Sequence, residues 1–389
     1  MTRSAARSRT RPAVNRRTLI VAVVPVLLAA GSWRALFTPE ARWPAPVTWV
    51  GTAVLLAAMV TLPVALVRGH GWRRSDPAAV VGDTLLGALW ALFSWSVIGE
   101  VARSGLLLAG VPDPLRARIV AVGVASVTAG LLAWGVSEAR RVPRVRRVEV
   151  PLERLGPGLD GLRLAVLSDT HFGPLDRARW SSGVVRRVNA LRPDAVLHLG
   201  DIADGTPEQR GAQAAPLADV HAPLGRYVVT GNHEYYGDAQ AWVDHLTTLG
   251  WRPLRNSHEL LARGGDRLVL AGVDDPTGAR LPGHGPDLAA ALAGTEEDLP
   301  VVLLAHQPRQ VTEAVAAGVD LQLSGHTHGG QIWPFHLLIR TEQPAVSGLS
   351  ARGPRSWLYI SRGTGFWGPP FRVFAPSEIT LLTLRRATG

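Results

Sequence analysis

The sequence predicts a helical membrane anchor followed by an α/β domain with a metal site, and three observations carry that reading. Four long apolar stretches lie in residues 1–147. Residues 148–389 alternate short apolar strands with helical stretches. Five of those strands run directly into Asp, Asn or His.

The charge obeys the same division. All 41 basic residues are Arg, against 31 acidic ones and a net charge of +10. Residues 1–147 hold 19 Arg and 6 acids, whereas residues 148–389 hold 22 Arg and 25 acids. The second part, at net −3, lacks the basic surface that a nucleic-acid partner requires, so none is expected. With no Cys, a disulfide framework, a thiol nucleophile and a thiolate metal site are excluded.

The apolar stretches are Thr18 to Trp33, Trp43 to Val67, Pro77 to Gly99 and Ile119 to Ser137. A hydrocarbon core about 30 Å thick takes roughly 20 helical residues, so spans are expected at 18–37, 45–67, 78–99 and 118–137. The first reaches that length by taking in Ala35 to Phe37 while Arg34 snorkels. Trp33, Trp43, Trp49 and Trp72 stand near span ends, as in an interfacial belt.

Fourteen Arg lie in residues 1–17, in the loop after the second span and after the fourth; five lie in the opposite loops. Positive loops stay inside, so a multi-pass cell-membrane protein is expected with both termini and residues 148–389 in the cytoplasm. The competing expectation is a twin-arginine export signal at Arg16-Arg17-Thr18-Leu19, but no small-residue cleavage site precedes Arg34 and three more spans come after it. Asp83, Glu100 and Arg103 lie toward the ends of the third span, and no internal repeat supports a transporter. His70 is expected in a membrane loop.

In residues 148–389 strands are expected at Arg163 to Leu167, Ala195 to Leu199, Tyr227 to Val229, Leu268 to Ala271, Val301 to Ala305, Leu321 to Leu323, Trp357 to Ile360 and Glu378 to Leu384. Helices are expected at Trp180 to Leu191, Ala239 to Leu249, Pro286 to Ala293 and Gln310 to Ala317. The residues directly after the strands are informative: Asp169-Thr170-His171, Gly200-Asp201-Ile202-Ala203-Asp204, Gly231-Asn232-His233-Glu234, His306 and Gly325-His326-Thr327-His328. Carboxyl ends of strands meet at one sheet edge, where α/β proteins place their sites.

Carboxylate, amide and imidazole donors suit Mn, Fe or Zn, and two ions roughly 3.5–4 Å apart need a bridging carboxylate. Such a pair makes a bridging hydroxide nucleophilic and neutralises phosphoryl charge. His233 adjoins a ligand position and suits the proton donor, with Asp204 orienting its ring.

These five blocks resemble the motifs of the calcineurin-like metallophosphoesterase superfamily. The run Leu159 to Gly173, the extension through Gln331, Gly363-Thr364-Gly365 and Pro376-Ser377-Glu378 resemble its membrane-associated bacterial branch and animal transmembrane proteins with a metallophosphoesterase domain. The resemblance covers residues 148–389 and implies an αββα four-layer sandwich. It implies one metal on Asp169, His171, Asp201 and His328 and a second on Asp201, Asn232, His306 and His326, with His233 as general acid backed by Asp204. Protein phosphatases of the superfamily carry Arg after the second-motif Asp, whereas Gly205 stands here.

The function expected is a membrane-anchored hydrolase of a phosphoester, lipid-linked or nucleotide-linked, at a diester or pyrophosphate bond. Members near this branch include UDP-diacylglucosamine pyrophosphatases of lipid metabolism and broad phosphodiesterases. A non-catalytic sensor or scaffold binding nucleotide or phospholipid, and a nuclease, are the alternatives. Of the remaining residues, His198 is expected in the core, Arg362 and Arg372 on the surface, Glu234, Tyr235 and Tyr236 beside substrate or in an ordinary loop, and Asp274 and Asp275 behind the ligands.

Overall fold

The computed structural model describes residues 16–71 and 74–387, with side chains from residue 23 onward. Arg3, Arg7, Arg9, Arg11, Trp72, Arg73 and the side chains of Arg16 and Arg17 lie outside the described residues. The chain forms two compact units, Met1–Thr128 and Ala129–Gly389.

The first unit is helical: α1 (Arg16–Phe37), α2 (Ala45–His70), α3 (Asp76–Leu108) and the first half of α4 (Leu115–Arg140). Among the described residues, α2, α3 and α4 are long and apolar enough to cross a membrane. A helix also occupies the first stretch, but three candidate spans stand where four were expected. Leu28, Leu55, Leu62 and Leu89 bury against one another, while Val50, Val54, Val60 and Val64 face outward, a distribution that suits lipid rather than water. Gly82 lets α3 approach α2 closely, since a Cβ there would stand 3.0 Å from the backbone nitrogen of Leu66. His70 is not in a loop. It ends α2 and places Nε2 2.9 Å from Oδ1 of buried Asp83.

The second unit begins with the last turns of α4, where buried Glu138 pairs with Arg141 and Arg144. Next come β1 (Arg144–Leu152), β2 (Arg163–Leu167), α5 (Ala178–Ala190), β3 (Ala195–His198), α6 (Pro207–Ala214), β4 (Arg226–Val228), α7 (Ala239–Thr248), β5 (Arg252–Pro253), β6 (Ser257–Arg263) and β7 (Asp266–Gly272). The chain closes with α8 (Leu288–Leu292), β8 (Val301–Leu304), α9 (Val311–Ala316), β9 (Leu321–Ser324), α10 (His336–Ile339), β10 (Gly348–Ala351), β11 (Trp357–Ile360) and β12 (Glu378–Arg386).

Two mixed six-stranded sheets result, ordered β1-β12-β2-β3-β4-β5 and β10-β11-β9-β8-β7-β6. In the first, β2 to β5 are parallel and β12 runs antiparallel to β2; in the second, β7, β8, β9 and β11 are parallel. Strand alternation then sorts the side chains. Leu164, Val166 and Leu197 share one apolar cluster with Leu268, Leu270, Val302 and Leu323 of the second sheet. Ala165 and Leu167 instead join Val184, Val188 and Trp242 from the helices, and Val269 and Leu303 pack with Ala291 and Ala314. Both faces being apolar, these strands are continuous hydrophobic runs. The parallel strands of both sheets deliver their carboxyl ends to the five motif loops.

Candidate metal centre

Each motif loop turns sharply as it leaves its strand. Asp169, His171, Asp201, His326 and His328 all have positive φ, between 43° and 71°, and they are five of the ten non-glycine residues in that region among those described. The left-handed conformation costs roughly 1–3 kcal/mol per residue and persists where surrounding structure enforces it. Gly200 supplies a further turn at φ 92°, where a Cβ would fall 2.4 Å from the nitrogen of Gly231. The β3 and β4 loops therefore touch backbone to backbone.

The expected residues come together around two main triads, with His233 forming a further group with His171 and Asp201. Asp169, His171 and His328 form one triad, and Asp201, His306 and His326 the other. In the first, His171 Nε2 lies 3.1 Å from His328 Nε2, which lies 3.4 Å from Asp169 Oδ1. In the second, Asn232 Oδ1 lies 2.9 Å from His326 Nδ1 and 3.2 Å from His306 Nε2. Asp201 Oδ2 stands between them, 3.5 Å from His171 Nε2 and 3.2 Å from His306 Nε2.

Donor atoms about 2.1 Å from one ion stand about 3.0–3.4 Å from each other in octahedral or tetrahedral geometry. The observed spacings fit. The lone pairs also point inward. His306 Nδ1 donates to the Leu199 carbonyl at 2.7 Å and His171 Nδ1 faces Asp204 Oδ1 at 3.0 Å, so each Nε2 is free to bind a cation. Asp169 accepts the backbone N–H of His326 at 3.0 Å, and Asp201 Oδ1 that of His233 at 2.9 Å, fixing both carboxylates.

The electrostatics express the same crowding. Burial would raise the Asp201 carboxyl, but His306 and His233 outweigh it and hold it well below the usual range. Burial and the His306 charge push His326 down to about 3, and burial with His171 takes His328 well below the ordinary histidine value. Burial would lower His233 too, yet Asp201 and Asp204 overcome it and raise the ring to about 9. Its Nδ1 lies 2.7 Å from Asp204 Oδ1. Asp204 thus serves His171 and His233 together.

Some residues do more than the sequence suggested. Buried Glu234 accepts the backbone N–H groups of Gly231 (2.8 Å), Asp201 (3.0 Å) and Ile202 (2.8 Å), so it clamps the β3 and β4 loops rather than facing substrate. Arg372 is not on the surface: it is fully buried, donates to the carbonyls of Gly365, His328 and Ala375, and brings Nη2 within 3.2 Å of His328 Nδ1. Buried Arg177 stacks over Trp180 and Phe366. Trp367 and Tyr236 flank the His233 ring edge-on, with centroids 5.9 and 5.1 Å away. Asp275 accepts Gln307 Nε2 beside His306, and Asp274 pairs with Arg255 instead. His198 is a buried core group against Thr170. His198 and Asp275 lie where the sequence reading put them; the roles of Glu234, Arg372, Arg177 and Trp367 are hidden in the sequence, because each acts across segments distant in the chain.

A family model described as calcineurin-like phosphoesterase matches residues 162–330. A transmembrane protein with metallophosphoesterase domain from Danio rerio is 37% identical over 315 residues, covering 76% of this chain and 71% of the relative. The chain belongs to the calcineurin-like metallophosphoesterase family. Metallophosphoesterases of Helicobacter pylori (36% identical, 64% of this chain, 66% of the relative) and Aquifex aeolicus (34%, 62% and 92%) are also similar. The chain spans 61% of the Bos taurus relative and 52% of the Caenorhabditis elegans one. Membership makes the chain a metal-dependent phosphoesterase, and the three apolar helices with transmembrane relatives make it a membrane protein.

Proposed function

We propose that this phosphoesterase works with two divalent ions, Mn, Fe or Zn, in an αββα domain running from about Val148 and lying on the cytoplasmic side of the cell membrane. Asp169, His171, Asp201 and His328 would hold one ion, and Asp201, Asn232, His306 and His326 the other. The observation that carries the reading is Asp201 Oδ2, placed within reach of both donor triads. Bound there, the ions would make water nucleophilic at neutral pH and neutralise charge building on a phosphoryl group.

The residues of the chain supply the rest. His233, protonated at neutral pH, gives its proton to the leaving oxygen. Asp204 holds the ring by Nδ1, leaving Nε2 to face the substrate. Tyr236 and Trp367 shield the ring from bulk water. The substrate proposed is a diester or pyrophosphate, lipid-linked or nucleotide-linked, and Gly205 after Asp204 speaks against a phosphoprotein.

The test is turnover of bis(p-nitrophenyl) phosphate and a UDP-linked lipid analogue by the full chain, stripped of metal and reloaded. Metal-dependent cleavage that is lost in His233→Ala supports the reading. Stoichiometric metal binding with no cleavage would replace it with a sensor or scaffold.

A further inference from the structure

The segment after β9, with α10, and the loop before β12 carry a set of large apolar side chains that the sheets do not use, and of these only Trp367 also touches the metal centre, at the His233 ring. Phe335, Leu337, Leu338, Trp367 and Phe374 are between 38% and 55% exposed. The two loops are sewn into one surface. Gln331 donates through Nε2 to the carbonyls of Trp367 (2.7 Å) and Pro369 (3.0 Å) and accepts the Trp367 N–H at 2.9 Å, while Ile332 bridges to Val373 and Phe374. A rigid apolar patch of this kind marks an interaction surface.

The place where the patch is tied down points to what covers it. Within the same compact unit the Arg372 N–H donates to the Gly135 carbonyl of α4 at 3.0 Å, and the Phe374 ring lies 5.7 Å from that of Trp134. Gly135 admits this approach, since a Cβ there would stand 3.1 Å from Val373. The helix so contacted is one of the three candidate spans. Trp134 precedes exposed Arg140, the first of the arginines beyond this span, by six residues, about 9 Å of helix axis. Those arginines belong at the headgroups, so Phe374 lies on the apolar side of them.

We infer that the surface formed by these two loops is seated in the monolayer of the membrane that α4 crosses, at the depth of headgroups and upper acyl chains. Amphipathic surfaces bury roughly 5–10 Å in that way. Trp367 then stands at once in the lipid interface and 5.9 Å from the His233 ring, so the metal centre opens beside the bilayer. The seating depends on side-chain placement alone and holds whatever bond the metal centre cleaves.

The chain has no cysteine, which makes the test clean. Single variants Leu338→Cys, Trp367→Cys and, as a reference on β6, Leu260→Cys are spin-labelled in the full chain reconstituted in phosphatidylethanolamine–phosphatidylglycerol vesicles. Collision with oxygen, which enters lipid, is compared with collision with an aqueous nickel chelate. The expected oxygen-to-nickel ratio at 338 and 367 is about threefold or more above that at 260, as for residues at interfacial depth. Equal ratios at all three positions would overturn the inference. So would loss of both collisions at 338 and 367, which would mean a protein partner covers the patch. Leu338→Asp supplies an independent reading: weaker protection of a label at 367 is expected, while Leu338→Asp alone, with Trp367 in place, leaves turnover of soluble bis(p-nitrophenyl) phosphate unchanged, and undiminished protection counts against lipid contact.

Discussion

The buried serines of the helices in residues 16–128 and the loops around the metal centre satisfy their polar groups in opposite ways. Ser32, Ser94 and Ser96 each donate to a carbonyl four residues back in their own helix. Asp169 instead accepts from His326, 157 residues away, and the Ser168 N–H donates to Thr364, 196 residues away. Helix polarity settled locally survives in lipid, where no water completes it. Loop polarity settled at long range exists only once both sheets are in place. The anchor's serines are thus settled within their own helices, with His70–Asp83 and Trp33–Thr52 as ties between helices, whereas the catalytic centre is interdependent throughout.

On that contrast, changes in the centre should be far costlier than changes in the helices. Asp201→Ala should lower turnover by on the order of 10³-fold or more, since an oxygen near histidines of both triads is lost; steady-state kinetics on the full chain checks it. His233→Ala should lower turnover by about 10²–10⁴-fold, the range for a general acid. A group that must be protonated loses activity as pH rises through its pKa, which is about 9 for His233 without metal, and nearby cations would bring that midpoint down. The alkaline limb of the pH–rate profile should disappear in the variant.

Removing metal should lower the melting temperature of the sheets while leaving the helical signal of the spans in place; an ion at a thousandfold excess over its dissociation constant contributes about 4 kcal/mol. Glu234→Ala should destabilise the sheet unit by about 2–4 kcal/mol, because three buried N–H groups lose their acceptor, and hydrogen exchange should localise the loss to the β3 and β4 loops. Ser94→Ala, by contrast, should cost about 0.5 kcal/mol or less, since its hydroxyl only doubles a bond within its own helix. A large loss there would break the comparison.

The same contrast explains what the sequence revealed. The spans were legible because composition alone forms them. Strands such as Leu164 to Leu167 and Val301 to Leu304 were legible because both faces are buried. By comparison β1 was hidden, since Arg146, Arg147 and Glu149 interrupt its apolar alternation and it lies at a sheet edge; β6, at the other sheet's edge, was hidden by exposed Glu259 and Leu260. The nine residues expected at the metal centre stand out in the sequence because each lies in a loop that leaves a strand directly. Glu234, Arg372 and Trp367 could not be given their roles, for these depend on partners that only the folded chain brings near.

The donors of each triad are divided between the sheets. Asp169, His171, Asp201 and Asn232 come after strands of the first, and His306, His326 and His328 after strands of the second. His171 and His328, whose Nε2 atoms face one another, are 157 residues apart. A ribosome adding roughly 5–20 residues per second needs about 10–30 s to cover that distance. For that interval the nascent chain offers only half a site to any ion, and an enzyme loaded this way can close its metal site only after His328 has been made.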